Sequence, residues 1–373
     1  MTIHIFNPEH DIALATNLSN FTSPHAGRQL RHDLGFLPAL WAGADDVVIV
    51  DDVPLAQTAY KHTLQMIKRR LGRVPATDTG SLSHEHTLFQ SWKQSVSCID
   101  VSCIDPWGWN KALCANLRRI GIDDTLLPSE SQLEHVRQLS HRRTSARLLP
   151  LLRLPGTIGE SCECQSFDDV ERCLQTHGRL VLKAPWSSSG RGLRFIDLER
   201  NTLSAQAGWL RNTLQRQGSV MAEPFYNKVK DFGMEFTALP DGRIRYEGLS
   251  LFHTVNGAYT GNILATEPVK EQLLSRYIAT DLLKSVQSMV CQHLPVFLDG
   301  KYSGPLGIDM MVVAKGTGDG FLLHPCVEIN LRRTMGHVAL ALTPGDDDIL
   351  SVMRISYAQG SYDLTLERLQ SPL

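Results

Sequence analysis

Two apolar segments carry acid, amide and arginine side chains inside stretches that otherwise have the composition of interior strands. They are LGIDMMVV at 306–313 and CVEINLRR at 326–333. Side chains two residues apart on a strand lie on the same face, so Glu328, Asn330 and Arg332 are predicted to share one face of the second strand. Charged side chains are costly to bury unless they are paired or bind a ligand. The chain is therefore expected to fold around a sheet with a polar site on one face.

The polar side chains of these two strands suit a divalent cation. Asp309, Glu328 and Asn330 offer hard oxygen atoms of the kind that Mg²⁺ prefers when it binds together with nucleotide phosphates. Arg332 would then be placed to form a forked contact with a phosphate group. A structural network with a buried Asp–Arg ion pair explains the same residues. From these two segments alone, both interpretations stay open.

A further feature is the segment LVLKAPWSSSGRGL at 180–193, in which a buried strand carries Lys183 into a loop of serines and glycines. Successive backbone N–H groups in such a loop can bind an anion, and three serine hydroxyls add donors. The loop is not a Walker A motif, because it lacks GxxxxGK[ST] and its lysine precedes the loop. A surface hairpin that needs only Gly190 and Gly192 is the alternative.

Strands and helices alternate in the N-terminal third, which predicts a small α/β domain ending near residue 127. From residue 128 the pattern changes to antiparallel strands with intervening helices, which is typical of an α+β fold. The predicted elements are strands at 3–6, 46–52, 180–185, 219–224 and 233–239, a turn at 240–243, helices at 58–71 and 110–120, and a helix capped by Ser129.

The charge balance gives no reason to expect a polyanionic partner. Lys plus Arg number 37 and Asp plus Glu 39, a formal net charge of -2, so neither nucleic acid nor an anionic membrane is expected. No run approaches the roughly 18 apolar residues of a membrane helix, and Glu9, His10 and Asp11 interrupt the apolar stretch that a signal peptide needs. The eight cysteines include no CxxC pair. Reduced thiols and a cytoplasmic location are therefore expected.

Taken in chain order, the polar motifs resemble those of the ATP-grasp superfamily. That family has a strand lysine, a small-residue loop over the phosphates, an acidic hinge strand at the adenine, an E-F/V strand, a strand aspartate and an E-x-N strand. The matching segments are, in order, Lys183, Ser187 to Gly192, Glu223-Pro224-Phe225-Tyr226, Glu235-Phe236, Asp309 and Glu328-Ile329-Asn330. The resemblance covers residues 128–345, and the preceding α/β part resembles a pre-ATP-grasp domain.

The resemblance implies that ATP is bound by the residues around Lys183. Lys183 would contact the α- and β-phosphates. Glu223 would accept a hydrogen bond from the adenine amino group, and the backbone near Phe225 would complete the hinge. The loop over the phosphates would consist of Ser187, Ser188, Ser189, Gly190, Arg191 and Gly192.

The resemblance also implies two Mg²⁺ ions and a phosphoryl-stabilising arginine. Asp309 and Glu328 would hold one magnesium ion, and Glu328 and Asn330 the other. Arg332 would stabilise the phosphoryl group during transfer, so that Arg332 and Lys183 are the expected catalytic residues.

The chain departs from the family pattern at two places. A lysine is usual at the start of the ATP-grasp module, where this chain offers Arg142, Arg143 or Arg147. The stretch between the hinge and the E-F strand is also longer than in compact members. The ribose contact is expected from Asp231 or Lys228, and the sequence leaves this choice open.

The activity implied by the resemblance is an ATP- and Mg²⁺-dependent ligase that joins a carboxylate to an amine or thiol through an acylphosphate. A kinase that releases a phosphorylated product and a non-catalytic nucleotide-binding module are the alternatives. The expected domains are an α/β domain at 1–127, a lid subdomain at 128–225 and a metal-binding subdomain at 226–373, the last two clasping ATP. Small carboxylate and amine substrates are expected, and a homodimer is the commonest assembly of soluble proteins.

Two segments are further candidates for substrate contacts. Residues 7–11 follow the first strand, at the strand end where open α/β sheets bind ligands, although Pro8 and Glu9 equally suit a first helical turn. Residues 252–262 form a glycine-containing loop, which an ordinary connection explains as well. The segments predicted to be loop, strand or packing residues rather than metal ligands are His84-Glu85-His86, the repeat at 97–105, His324 and His337.

Overall fold

The computed structural model of the protein describes residues 1–72, 89–94, 100–187, 192–255, 258–316 and 318–369. The chain divides into two units, each made from separated stretches of sequence. The N-terminal unit contains Met1–His135, Thr260–Lys270 and Arg332–Leu373, and the central unit contains Val136–Tyr259 and Glu271–Leu331. The segments predicted from the sequence that lie outside the described residues are His84 to His86, Ser97 to Ile99, Ser188 to Arg191, and Asn256 and Gly257.

The N-terminal unit contains the predicted α/β sheet. Its strands are β1 (Thr2–Ile5), β2 (Val47–Val50), β3 (Phe89–Ser91) and β4 (Cys103–Pro106). They are ordered β3-β2-β1-β4, and every neighbouring pair is parallel. Parallel strands are usually covered on both faces, which explains why β2 is apolar and buried throughout. The strands predicted at 3–6 and 46–52 are confirmed.

Four helices of this unit follow the strands: α1 (His10–Thr16), α2 (His25–Leu34), α3 (Val53–Leu71) and α4 (Lys111–Arg119). Side-chain caps decide where α3 and α4 begin. The Asp52 carboxylate accepts the Leu55 N–H, and the Asn110 side-chain oxygen accepts the Leu113 N–H. The cap at Asp52 explains why α3 begins before the predicted Thr58. Gly72, in the left-handed region with φ 63°, ends it.

The C-terminal residues belong to the same unit. β12 (Ala258–Leu264), β15 (Ser351–Ala358) and β16 (Ser361–Arg368) pair antiparallel in the order β12-β15-β16. β16 lies beside α2, where the Tyr362 N–H donates to Asp33 at 2.7 Å. The short helix α11 (Met335–Ala341) precedes these last two strands.

The central unit contains two antiparallel sheets. The first, with the order β5-β8-β6-β7, consists of β5 (Cys162–Cys164), β6 (Arg179–Lys183), β7 (Leu193–Asp197) and β8 (Val220–Pro224). Helices α7 (Phe167–His177) and α8 (Ala207–Gln217) supply Leu174 and Leu210 to its core. A reciprocal capping box between Ser166 and Asp169 begins α7.

The second sheet has the order β10-β9-β13-β14 and carries the strands on which the magnesium prediction depends. They are β9 (Lys228–Ala238), β10 (Ile244–Ser250), β13 (Gly304–Ala314) and β14 (Phe321–Asn330). Helix α6 (Arg143–Leu148) lies beside β14, since the Ser145 hydroxyl accepts the Ile329 N–H at 2.9 Å. Helix α10 (Thr280–Leu298) packs on β10.

The remaining elements lie along the chain between these sheets and helices. Ser129 caps α5 (Glu130–Leu139) as predicted, because its hydroxyl accepts the Gln132 N–H at 3.3 Å and the Gln132 side chain accepts the Ser129 N–H at 2.8 Å. The other elements are α9 (Glu267–Ser275), β11 (Phe252–Val255) and single-turn 3₁₀ helices at Leu37–Leu40, Asp124–Leu126, Leu149–Leu152 and Ser204–Gln206. In the part of the chain that the structure describes, no helix combines the length and apolar character needed to span a membrane.

The mixed class predicted from the sequence, α/β followed by α+β, is confirmed by one parallel and several antiparallel sheets. The division at 127 and 225 does not coincide with the two units. The first change of unit falls after His135, and residues 226–259 stay with 136–225. Residues from 332 onward lie in the N-terminal unit because β15 pairs with β12, β16 pairs with β15, and β16 packs on α2 and α3.

Candidate functional site

A buried ion pair joins Lys183 and Glu223 across the first sheet of the central unit. Lys183 is the last residue of β6. Glu223 on β8 lies opposite Val181, which is two residues before Lys183 on β6, so the side chains of Lys183 and Glu223 point to the same face of the sheet. The Lys183 Nζ and Glu223 Oε2 atoms are 2.5 Å apart, and the two residues are only 7% and 5% exposed. The Ser161 hydroxyl donates to the other Glu223 oxygen at 3.3 Å. The residues predicted for the phosphates and for the adenine are thus in direct contact.

In the predicted hinge after Glu223, one backbone N–H is already hydrogen-bonded within the protein. The Phe225 N–H donates to the Arg179 carbonyl at 3.0 Å, and the Arg179 guanidinium lies 4.1 Å above the Phe225 ring. A nucleotide contact from the backbone of Phe225 would therefore use its carbonyl rather than its N–H.

The predicted magnesium ligands share one face of the second sheet. Asp309 on β13 lies directly opposite Glu328 on β14, and Gly307 lies opposite Asn330. Residues opposite each other in an antiparallel pair, and residues two apart on one strand, point to the same side. The face thus collects two carboxylates and one amide. No group of three or more His, Cys, Asp or Glu residues suited to a metal occurs among the described residues, so protein ligands here would be this mixed set.

Arg142 connects this face with the loop that follows Lys183. Its Nη2 donates to both Glu328 oxygens at 2.7 Å, and its Nη1 donates to the Ala184 carbonyl at 2.9 Å and to the Ser187 hydroxyl at 3.0 Å. The side chain is only 7% exposed. Of the three arginines that the sequence left open, Arg142 is the one in contact with both motifs. Arg143 instead pairs with Glu163 at 3.0 Å.

The described ends of the predicted phosphate loop are closely packed. The Ala184 N–H donates to the Gly192 carbonyl at 2.9 Å, and a Cβ atom at Gly192 would overlap the Ser187 side chain. A glycine is therefore required where the loop returns to β7. Ser188, Ser189, Gly190 and Arg191 lie outside the described residues, so their predicted contacts stay predictions.

Both candidates for the ribose contact lie in one network. Lys228 Nζ is 2.6 Å from Asp231 Oδ2 and 3.0 Å from the Thr254 hydroxyl, which itself donates to Asp231 at 2.5 Å. Asp231 is the more buried of the ion pair, with its side chain 15% exposed against 42% for Lys228. The choice between them stays open, and their pairing means that a variant of one alters the other.

Arg332 is not part of the strand that carries the predicted metal ligands. β14 ends at Asn330, so strand alternation does not extend to Arg332, which belongs to the N-terminal unit. There its Nε and Nη2 donate to both carboxylate oxygens of Asp11 at 2.8–3.1 Å. The predicted shared face therefore holds only for Glu328 and Asn330. The catalytic role of Arg332 stays a prediction of the family resemblance.

His324 is a buried histidine on β14, for which the sequence predicts only packing. It is 1% exposed, and neither ring nitrogen has a hydrogen-bond partner among the described residues. Burial, with the charges of Lys183 and Arg153, lowers the pKa of His324 to about 3. Its ring contacts that of Tyr226 edge to face at a centroid distance of 5.7 Å. The side chain is therefore neutral at physiological pH.

We expect His324 to make the protein less stable in mild acid. With a pKa of about 3 when folded and roughly 6.5 when unfolded, the unfolded state binds more protons between these values. The free energy of unfolding therefore falls as pH falls through this window, by up to about 1.4 kcal/mol per pH unit. Urea unfolding between about pH 5 and pH 7 should show a shallower pH dependence for His324→Gln than for wild type. The expectation would be contradicted if the free energy of unfolding of His324→Gln depended on pH as steeply as that of wild type. It would also be contradicted if the exposed control His135→Gln reduced this pH dependence as much as His324→Gln does.

Neither a protein-family model nor a curated protein matches the chain, but solved structures resemble it. N5-carboxyaminoimidazole synthetase from Staphylococcus aureus, in complex with ADP, is 12% identical with a TM-score of 0.49, covering 96% of this chain and 83% of that chain. The biotin carboxylase–β,γ-ATP complex from Campylobacter jejuni is 11% identical with a TM-score of 0.49, covering 95% of this chain and 75% of that chain. The biotin carboxylase domain of Hydrogenobacter thermophilus 2-oxoglutarate carboxylase, with MgADP, ADP and bicarbonate, is 13% identical with a TM-score of 0.48. The match covers 69% of this chain and 59% of that chain.

These three proteins belong to the ATP-grasp enzymes, the superfamily that the motifs of this chain resemble. At such identities and TM-scores, a superposition of whole chains assigns no chemistry to individual residues.

Proposed function

We propose that the protein is an ATP-grasp enzyme that uses ATP and Mg²⁺ to join a carboxylate to an amine or thiol through an acylphosphate. One observation carries the proposal. A single buried guanidinium, that of Arg142, contacts both the loop after Lys183 and the carboxylate of Glu328. The family resemblance implies that these two distant motifs bind the phosphates and the metal of one nucleotide. Their connection through Arg142 supports a common role.

The positive charges of this site suit a polyphosphate. Arg142 presents a planar set of N–H donors, which matches the geometry of phosphate oxygens. Lys183 lies at the end of β6, and its ion-pair partner Glu223 offers a carboxylate to an amino group of the ligand. Because Lys183 and Glu223 are buried, their interactions with a bound nucleotide would be weakly screened by solvent. These contacts would hold the nucleotide rather than react with it.

The donor set on β13 and β14 fits Mg²⁺. Asp309, Glu328 and Asn330 supply only oxygen donors of the hard type, and phosphate oxygens and water would complete the octahedral set that Mg²⁺ requires. Arg142 contacts both oxygens of Glu328 and so orients that carboxylate. When bound, Mg²⁺ would neutralise the charge that develops on the transferring phosphoryl group.

The reaction needs ATP because a carboxylate is a weak electrophile. Transfer of the γ-phosphoryl group to a carboxylate oxygen releases ADP and gives a mixed anhydride. An amine or thiol then attacks the carbonyl carbon, and phosphate leaves with the former carboxylate oxygen. Exclusion of water protects the anhydride from hydrolysis until the acceptor attacks.

The test measures ADP release by the full chain with Mg²⁺ and pools of carboxylates and amino acids. Mass spectrometry of the products identifies the activity. An amide or thioester product that depends on ATP supports the proposal, and Lys183→Met should lower its formation by about tenfold or more. A stable phosphorylated product without amide would assign a kinase. ATP binding without any turnover would assign a nucleotide-binding module, and either outcome overturns the ligase.

A further inference from the structure

The N-terminal unit contains a polar cavity that the proposed ATP chemistry does not use. It has a volume of about 170 Å³ and is lined by Asn7, Glu9, Arg31 and Trp92, among others. Asn7 and Glu9 follow β1, and Trp92 follows β3, so the cavity lies at the carboxyl ends of the parallel strands. This edge is where open α/β sheets bind ligands. The position agrees with the first of the two substrate-contact segments predicted from the sequence, residues 7–11.

Glu9, Arg31 and Asp51 together carry one excess negative charge. Arg31 donates to Glu9 at 2.6 Å and to Asp51 at 3.0 Å, so one guanidinium serves two carboxylates. Glu9 is only 9% exposed, and its Oε2 atom has no hydrogen-bond partner among the described residues. Burial raises the pKa of Glu9, and Arg31 offsets this only in part. A buried carboxylate oxygen without a donor is costly, and a ligand ammonium group would satisfy it.

Arg28, which also lines the cavity, carries a positive charge that can take a carboxylate. Arg28 on α2 donates to the Ser23 carbonyl and has no ion-pair partner within the described part of the chain. Unlike Arg31, it is exposed to solvent at the cavity. A guanidinium of this kind forms strong, forked hydrogen bonds with a carboxylate. The cavity therefore presents an acceptor for a cation and a donor for an anion.

Two further lining residues, Asn7 and Asn110, are buried and held in place by hydrogen bonds. Asn7 donates to the Gly108 carbonyl at 2.8 Å and accepts the Gly108 N–H at 3.3 Å. Asn110, which caps α4, also lies against His10 at 3.4 Å. A Cβ atom at Gly108 would lie 2.7 Å from the His10 ring, so this turn requires glycine. The cavity is thus largely preformed, as ligand sites commonly are.

We infer that this cavity binds an α-amino acid, with its ammonium group on Glu9 and its carboxylate on Arg28. A simple anion would leave Glu9 Oε2 without a donor, and a simple amine would leave Arg28 without a counter-charge. The volume of about 170 Å³ is below the roughly 300–1,000 Å³ of typical small-molecule and cofactor pockets, which favours a ligand as small as an amino acid. Trp92 and Leu113 line the remaining wall and would contact the side chain of the ligand.

The residues that carry this binding belong to the N-terminal unit, whereas Lys183, Glu223 and the proposed Mg²⁺ ligands belong to the central unit, so binding at the cavity can be measured without nucleotide. A further step rests on the proposed function: in an amide-forming ligase, a bound α-amino acid would be the amine substrate. Binding without nucleotide tests the cavity, whereas ADP release that depends on the amino acid tests the ligase. Failure of one is therefore distinguishable from failure of the other.

The experiment is calorimetric titration of the full chain, without nucleotide, with each of the twenty standard L-amino acids and with inorganic phosphate. The tightest amino acid is then compared with its N-acetyl derivative and its methyl ester. We expect each blocked form to bind at least about tenfold more weakly, since each loses one charge-assisted contact. Glu9→Gln and Arg28→Met should weaken binding similarly. The exposed control variants Glu171→Gln and Arg69→Met should leave it within about twofold.

Three results would overturn the inference: no amino acid binds at about 10 mM, phosphate alone binds, or the blocked forms bind as tightly as the free amino acid. Arg28 is exposed and its replacement removes one hydrogen bond, to the Ser23 carbonyl, and no ion pair with a described residue, so Arg28→Met tests the site even if Glu9→Gln does not fold. The comparison of blocked and free ligands uses the unaltered protein and is decisive without any variant.

Discussion

Glu328→Gln is expected to reduce ATP turnover by about a hundredfold to a thousandfold, the range observed when one preorganised contact to a reacting group is lost. The substitution removes the negative charge proposed to contact both Mg²⁺ ions, yet it keeps one oxygen to accept from Arg142. Turnover is measured as ADP release per folded molecule, with the folded fraction taken from circular dichroism. Raising the Mg²⁺ concentration should recover little of the rate.

The same substitution should also lower the free energy of unfolding. It leaves the guanidinium of Arg142, which is only 7% exposed, without its carboxylate partner, and an uncompensated buried charge is strongly destabilising. Asp309→Asn separates the two effects, because it removes a proposed metal ligand and leaves the Arg142–Glu328 pair in place. Glu171→Gln on the surface of α7 is the control. A Glu328→Gln protein that is less stable but turns over at a nearly normal rate with an unchanged Mg²⁺ requirement would refute the metal assignment.

Arg332→Lys is expected to lower the catalytic rate by about tenfold to a thousandfold with little change in ATP affinity. Lysine keeps the charge but loses the planar fork that would stabilise a transferring phosphoryl group. The structure offers a competing explanation, since Arg332 is held by Asp11 through both carboxylate oxygens. The measurement combines melting temperature, ATP affinity and turnover for this one variant.

Asp11→Asn is the matched variant for this test. It breaks the same ion pair but leaves the arginine present. If Arg332 acts on the phosphoryl group, Asp11→Asn should retain most of the turnover that Arg332→Lys loses. If the arginine only stabilises the N-terminal unit, both variants should lower the melting temperature by similar amounts and stay active per folded molecule. The second pattern would contradict the catalytic role.

Local patterns predicted most of the secondary structure because each depends on near neighbours in the chain. The apolar run at 46–52 is β2, and the helix at 110–120 is α4, begun by the cap at Asn110. Alternation along 326–330 correctly placed Glu328 and Asn330 on one face of β14. The same alternation does not apply to Arg332, because the strand ends at Asn330. Where a strand ends depends on pairing with its neighbour, which a single sequence does not display.

The sequence by itself determined the fold class, the polar strands and the identity of the residues that resemble an ATP-grasp site. Only the tertiary structure decided which groups meet. It brought Arg142 into contact with Glu328, paired Lys183 with Glu223, and placed Arg332 on Asp11. It also assembled the N-terminal unit from three separated stretches. The physical reason is that secondary structure follows from periodicities over a few residues, whereas ion pairs and units form between segments brought together only by burial of their apolar faces.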